Sequence, residues 1–228
     1  MRIAPASTLR PPKARAVEVA CAPDTAADAA MLPGFSFARV LGGTTGHEAI
    51  REELQRLESD GALLRDAAPK MFVYRAAHSG RKWMGLACAI DTRDLVAHLD
   101  GVAADEEIQA ARIDLERVGA QLVPALVRVE ASPDVSYLMA CDTNERPGYH
   151  FVAADGSTHS AWEVKHPQAY EAAFADLDPV EIRAGGAQAM AAHLGGSMPW
   201  AILTSDDDAQ ASGPLAPRCG LFVLPVAG

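Results

Sequence analysis

The sequence predicts a mixed α/β protein of the α+β kind, with a mixed, largely antiparallel sheet that contains hairpins and carries about four packed helices. Two short polar turns, at residues 78–81 and 154–157, each join strand-like runs. Helical and strand-like runs are mixed without a regular β-α-β-α alternation, which disfavours a doubly wound sheet. The length of 228 residues, with 49% hydrophobic and 22% charged residues, is ordinary for a globular protein. We expect a single domain over residues 1–228.

The N-terminal part is rich in Pro, Ala and Gly, and it predicts two short strands, at 16–20 and 35–41. The glycine-rich loop 42–46 resembles loops that bind phosphate through backbone amides, but no Gly-Lys-Ser/Thr follows it, so it is not a P-loop. A helix is expected from residue 45 or 46 to residue 58, with an apolar stripe at helical spacing. The stripe consists of Ile50, Leu54 and Leu57.

The middle of the chain gives the strongest strand signals. Residues 70–75 and 83–90 are expected to be antiparallel neighbours, because a short polar turn separates two β-prone runs. A second helix is expected over 105–118, with an apolar face and Gly119 as its stop. Residues 122–129 predict an apolar strand.

The second half begins with a predicted hairpin, 149–153 and 159–164, around an Asp-Gly turn. Two further helices are expected at 167–177 and 187–194, and two strands at 200–204 and 220–225. The acidic run 205–217 between the last two strands, rich in small residues, is expected to be a mobile loop.

Composition narrows the functional classes. A net charge of −10 disfavours nucleic-acid binding, which depends on neutralising phosphates. No apolar run approaches the roughly 20 residues of a membrane span, and the first 20 residues lack the apolar block of a secretory signal, so we expect a cytoplasmic protein without membrane contact. The four cysteines form no C-x-x-C pair, which disfavours a zinc knuckle and a thioredoxin-like site, and disulfides are not expected in the cytoplasm.

Several phrases, in a defined order, resemble the bacterial family known as domain of unknown function 1015. They are Leu9-Arg10-Pro11-Pro12; Gly61-Ala62-Leu63-Leu64 before Met71-Phe72-Val73-Tyr74-Arg75; Gly85-Leu86; Leu115-Glu116-Arg117-Val118-Gly119-Ala120-Gln121-Leu122-Val123-Pro124; and Asp155-Gly156 with His159 and Trp162. The resemblance runs from residue 1 to about residue 225. Family members are usually much longer, so the chain resembles their N-terminal part.

That family distantly resembles the ParB/sulfiredoxin-like superfamily, in which an Asp-Gly-His-His-Arg signature opens a helix and handles nucleotide phosphates. The resemblance therefore implies a ParB/sulfiredoxin-like core. In this chain the aligned stretch is Ala184-Gly185-Gly186-Ala187-Gln188, which keeps only the glycine. A His-Glu-His-Thr segment of the family falls on residues 100–103 without its imidazoles, and a Pro-Pro-Tyr-Asp segment keeps only its acid, Asp24.

The positions that align with these family segments define the candidate site. Asp24 is the candidate catalytic base or metal ligand, with a turn or helix cap as the alternative. The candidate ligand-binding residues are Gly185, Gly186 and Gln188, since a helix that opens with glycines offers free amides to an anion. No metal site is predicted, and no cofactor is identified.

Three alternatives in the sequence use other residues. His47 and Glu48 either cap the helix that follows them or belong to a functional site. His150 and His159 lie on neighbouring predicted strands, where two imidazoles can share a metal, although no third ligand is evident. Ser157 and Ser160 near His159 suggest a nucleophile, but no oxyanion-binding device accompanies them.

The interpretation favoured by the residues is a repurposed family member that binds a small anionic or amino-acid-like ligand, or a protein partner, without phosphate chemistry. A homo-oligomer is compatible with it. The second hypothesis is an enzyme of a specialised biosynthetic pathway acting on an amino-acid-like or phosphorylated substrate, and the third is a nucleotide-dependent kinase. We expect weak or no ATP binding, and we expect the 184–188 turn to lie at the main cleft with Asp24 nearby.

Overall fold

The computed structural model describes residues 1–21, 34–42, 46–96, 103–196 and 198–225. Twelve strands and seven α-helices lie in this part of the chain. The strands are β1 (Ile3–Ala4), β2 (Leu9–Arg10), β3 (Leu64–Arg65), β4 (Phe72–His78), β5 (Arg81–Ile90), β6 (Ala120–Gln121), β7 (Ala125–Val129), β8 (Tyr149–Val152), β9 (Thr158–Glu163), β10 (Pro179–Ala184), β11 (Trp200–Thr204) and β12 (Leu224–Pro225). The helices are α1 (Ala16–Val19), α2 (Ala38–Gly42), α3 (His47–Ser59), α4 (Asp105–Val118), α5 (Pro133–Thr143), α6 (Pro167–Phe174) and α7 (Gly186–Leu194).

An eight-stranded mixed sheet organises the protein. Its strand order is β10-β7-β11-β5-β4-β9-β8, and β1 pairs with the end of β5. Its pairs are antiparallel except for β7 and β11, which are parallel. Two small sheets, β2 with β3 and β6 with β12, lie outside it. The predicted mixed, largely antiparallel sheet is therefore confirmed.

The sheet is buried on both faces, because successive side chains along its strands belong to different apolar clusters. On β4, Val73 packs with Tyr170 and Phe174 of α6 on one face. Its neighbour Tyr74 packs with Phe222 near the C-terminus on the other face. A strand pleats with a period of two, so alternate residues reach opposite faces. A third cluster lies under α1, α2 and α3.

Both predicted central hairpins are confirmed. The β4–β5 turn holds Ser79 and Gly80 at φ of 50° and 82°, the left-handed pair that a tight two-residue hairpin turn needs. The β8–β9 hairpin closes around Gly156 at φ of 79°. The predicted helix at 105–118 has the bounds of α4, and Gly119 ends it in the left-handed conformation.

The predictions near the N-terminus are wrong in element type. Residues 16–20 and 35–41, expected as strands, contain α1 and most of α2. Ala16 and Val19 are both buried, as are Phe37 and Val40. A spacing of three residues places Ala16 and Val19 on one helix face, and Phe37 directly precedes α2, which holds Val40. So short a pattern does not distinguish this spacing from strand alternation.

The structure contains elements that the sequence did not predict, and one predicted strand is shorter than expected. The structure adds α5, which begins with Ser132 as its N-cap and proline in its first turn, and the edge strand β10. The expected strand at 220–225 shrinks to β12. In the run 205–217, Leu215 is buried and its carbonyl accepts a hydrogen bond from Trp83 Nε1 at 2.7 Å, while the mobility of the run stays a prediction. Within the described residues, the helices are too short or too polar to cross a bilayer.

Candidate functional site

The turn at residues 184–188 joins the edge strand β10 to α7. Gly185 is the N-cap of α7, with a left-handed φ of 71°. A Cβ atom there would lie 2.7 Å from Ala125 Cα and 3.0 Å from the Pro124 carbonyl oxygen, on the neighbouring chain segment at β7. Both the left-handed backbone and this close approach require glycine. The fold alone therefore explains why Gly185 is glycine.

This turn lines a cleft of about 470 Å³ between the start of α7 and the first half of α4. Gly185 supplies no capping side chain, and the amides of Gly186, Ala187 and Gln188 have no acceptor within α7 because they form its first turn. The positive end of the helix dipole is therefore at the cleft. Cavities of about 610 and 820 Å³ lie elsewhere, so the turn does not line the largest concavity of the described residues.

The charged groups of the cleft have different roles. Glu107 of α4 lines it, and this carboxylate accepts a hydrogen bond from the amide of Ala104 at 3.0 Å. Arg183 also lines it, but its guanidinium donates to the side chains of Glu181 and Asp207 at 3.2 and 3.1 Å. The same guanidinium donates to three backbone carbonyls in the 206–209 segment. Arg183 is thus committed to the protein, whereas Glu107 leaves the cleft with a negative charge.

Gln188 separates the cleft from an apolar recess. Together with Ala111 it lines both the cleft and a neighbouring cavity of about 170 Å³, whose other walls include Ile50 and Leu122. Within the described part of the chain, the Gln188 side chain has no hydrogen-bond partner. An amide in this position can donate to or accept from a ligand.

Asp24, the predicted acid, lies outside the described residues, as do residues 43–45 of the glycine-rich loop. Its proximity to Gly185 stays a prediction. His47 and Glu48 lie at the start of α3, on a cavity of about 820 Å³ whose charged lining mixes Arg51 and Arg117 with Glu52 and Glu116. No grouping of three or more His, Cys, Asp or Glu side chains in the described ranges is arranged to hold a metal ion.

The predicted approach of His150 to His159 is wrong. His150 pairs with Ser160 across the hairpin, and His159 pairs with Phe151. This register, offset by one residue, places the two imidazoles on opposite faces of the sheet. His150 is exposed and contacts Ser160 Oγ at 3.0 Å, while His159 is fully buried.

His159 instead belongs to a buried polar network that the sequence did not predict. Arg218, from the C-terminal segment, donates from Nε to His159 Nε2 at 2.8 Å and from Nη2 to Ser157 Oγ at 2.6 Å. It also forms an ion pair with Asp155. On the other side of the imidazole, Nδ1 lies 2.6 Å from the hydroxyl of Tyr74, which also accepts a hydrogen bond from the Arg218 amide. The network therefore fixes three distant segments to one another.

The network is built for structure rather than for nucleophilic catalysis. Burial first, and then the charge of Arg218, lower the pKa of His159 to about 3. Since Arg218 donates to Nε2, that nitrogen is an acceptor and the proton lies on Nδ1, facing Tyr74. Ser157 Oγ lies 2.7 Å from His159 Nε2, the contact that a nucleophile makes with its base, but it also lies 2.5 Å from Asp155 Oδ1, a stronger acceptor for its proton than a neutral imidazole. Ser157 is also fully buried, so its hydroxyl is closed to a substrate and the contact serves the network.

The ionised state of Asp155 completes this arrangement. Burial would raise the pKa of its carboxyl, but hydrogen bonds from Ser157 and Arg218 prevail and lower it to about 2. The carboxylate balances the buried guanidinium, whose side chain is 3% exposed. Asp155, Gly156, His159 and Tyr74 all belong to family-like phrases of the sequence, but nothing in the sequence brings Tyr74 on β4 to His159. Arg218 carries no local signal, because it joins the network from the far end of the chain.

Comparison with known families gives one match. The model of the family described as "Protein of unknown function (DUF1015)" matches residues 3–184. No curated protein and no solved structure matches the chain. The family match ends at Ala184, the last residue of β10, so it does not cover Gly185, Gly186 or Gln188.

Proposed function

Since this chain belongs to the DUF1015 family, whose function is unknown, we propose from its cleft that it is a repurposed member which binds a small amino-acid-like ligand without phosphate chemistry. The observation that carries the proposal is that one cleft offers hydrogen-bond donors for a negative group and a carboxylate for a positive group. The first-turn amides of α7 suit a carboxylate, and the Glu107 carboxylate suits an ammonium group. Gly185, Gly186 and Gln188 are the binding residues, on a scaffold that we take to be ParB/sulfiredoxin-like.

The charge of the cleft favours a zwitterion over a polyanion. Backbone amides alone compensate little of a triphosphate's charge, and Arg183 is already paired with Glu181 and Asp207. The first turn of α4 adds Asp105, Glu106 and Glu107, which repel a polyanion. An amino acid presents only one carboxylate, and its ammonium group gains from the same acidic turn. A binding role therefore suits the cleft better than a kinase role.

The experiment is a calorimetric titration of the chain with glycine, L-serine, L-leucine and L-aspartate, and with acetate and methylamine as half-ligands. We expect at least one amino acid to bind with a Kd between about 1 μM and 1 mM, more tightly than either half-ligand. Glu107→Gln should weaken that binding about tenfold, which corresponds to about 1.4 kcal/mol.

Glu106→Gln is the matched control, because Glu106 is an exposed acid of the same helical turn that does not line the cleft. Loss of one charge at position 106 should leave the Kd nearly unchanged. The proposal is refuted if no amino acid binds, or if the two variants weaken binding equally. In the second case the effect would come from net charge rather than from contact with the ligand.

A further inference from the structure

Cys21 and Cys219 face each other across an isolated antiparallel bridge between the two ends of the described chain. The Cys21 amide donates to the Cys219 carbonyl at 3.1 Å, and the Cys219 amide donates to the Cys21 carbonyl at 2.9 Å. In such a reciprocally bonded pair the Cα atoms are about 5.5 Å apart, and both side chains project from the same face of the ladder. The two thiols are therefore held side by side by the backbone.

This spacing matches the requirement of a disulfide. A disulfide joins Cα atoms about 4.4–6.8 Å apart, which this pair satisfies, and Cβ atoms about 3.5–4.5 Å apart. In a hydrogen-bonded pair the Cβ atoms are about 5.5 Å apart, so they must approach by about 1–2 Å for the bond to form. Both residues lie in the apolar cluster under α1 and α2, with 8% of Cys21 and none of Cys219 exposed. Cys88 lies in the sheet core on β5, and Cys141 is exposed on α5.

We propose that Cys21 and Cys219 are a redox modification site that closes to an intramolecular disulfide when the protein meets a small-molecule disulfide such as oxidised glutathione. The thiolate of Cys21, the more exposed of the two, attacks one sulfur of the oxidant and releases one thiol. The thiolate of Cys219 then attacks the Cys21 sulfur of the mixed disulfide and releases the second thiol. Two protein thiols are oxidised, and one oxidant disulfide is reduced to two thiols that take up the two protons.

The position of the bond determines its effect. Cys219 directly follows Arg218, the guanidinium at the centre of the buried network, and its partner lies near the N-terminus. The disulfide would therefore fix the C-terminal segment to the N-terminal segment and close a loop of nearly the whole chain. Long loops give the greatest restriction of the unfolded chain. This site is independent of the α7 cleft.

The test uses the full chain with Cys141→Ser, so that the exposed thiol cannot form intermolecular bonds. The protein is equilibrated with oxidised glutathione both in its native state and during refolding from urea, which gives the oxidant access to buried thiols. Before alkylation, mass spectrometry should show a species lighter by two hydrogen atoms than the reduced protein. After alkylation we expect a single alkyl group, on Cys88, and a linked Cys21–Cys219 peptide. The added Cys219→Ser change should abolish that species.

The crosslinked protein should also unfold at a higher temperature, by roughly 10 °C. The proposal is overturned if all three thiols are alkylated after oxidative refolding, or if a glutathione adduct persists on Cys21 without closing. It is equally overturned if the linked peptide contains Cys88, or if the crosslinked protein has a lower Tm than the reduced one.

Discussion

Acid should destabilise the protein through His159, well above the pH at which carboxylates titrate. The pKa of this imidazole is lowered to about 3 in the folded state, whereas an unfolded histidine titrates near pH 6.5. The unfolded chain therefore binds the extra proton first. The stability that depends on neutral His159 is complete above about pH 6.5 and is lost progressively as the pH falls toward 3.

The magnitude follows from these two pKa values. Between about pH 7.5 and pH 5 the unfolded histidine becomes protonated while the folded one stays neutral, which lowers the free energy of unfolding by about 2 kcal/mol. Asp155 adds nothing in this interval. Its pKa is lowered to about 2, so its contribution is present above about pH 3.8 and is lost only as the pH falls through 2.

Urea unfolding at the two pH values measures this effect in the wild type, in His159→Gln and in His150→Gln. Glutamine keeps a side-chain acceptor and donor for Arg218 and Tyr74 but does not titrate. We expect His159→Gln to be less stable overall and to lose about 2 kcal/mol of the pH dependence, whereas the exposed His150→Gln control keeps it. Equal pH dependence in all three proteins would refute the assignment of a buried neutral His159.

Three further predictions concern the turn at the cleft. Gly185→Ala should lower the free energy of unfolding by about 2–4 kcal/mol in thermal unfolding, because it adds backbone strain and a clash with Ala125. Gly196→Ala is the control: its φ of 70° is similar but nothing lies near its Cβ, so it should cost only about 1–2 kcal/mol. Equal losses in the two variants would contradict the close approach of Gly185 to Ala125. ATP with magnesium should bind with a Kd weaker than about 10 μM in calorimetry, because Arg183 of the cleft is already paired with Glu181 and Asp207, and tighter binding would contradict this reasoning. Gly186→Asp should abolish binding of any carboxylate ligand by adding negative charge and bulk at the first amide of α7, and unchanged affinity would place the ligand elsewhere.

The sequence was most informative where local pattern and tertiary structure agree. The β4–β5 and β8–β9 hairpins follow from short turns between β-prone runs, and α4 follows from its apolar face and Gly119. The short helices α1 and α2 differ from the predicted strands, because four or five residues contain too few periods to separate a helix from a strand. The edge strand β10 was missed because it is largely exposed and begins with proline.

The candidate site was predictable only in part. The resemblance implies a motif at residues 184–188, and α7 begins there, at Gly186. The family match ends at residue 184, so the alignment of this motif stays a prediction. Glu107 was visible only as an acid in the first turn of a helix, since nothing in the sequence pairs α4 with α7. Arg218 and Cys219 act through contacts with residues more than 50 and nearly 200 positions away, which no local pattern encodes.

Amide chemical shifts test the ligand site most directly. In ¹H–¹⁵N spectra of the labelled chain, titration with the amino acid that binds most tightly should shift the amide signals of Gly186, Ala187 and Gln188 in a saturable way. The same titration of Glu107→Gln should require about tenfold more ligand. A ligand that saturates the protein while these three amides do not move, and that shifts signals around another cavity instead, would contradict the assignment of the α7 cleft as the binding site.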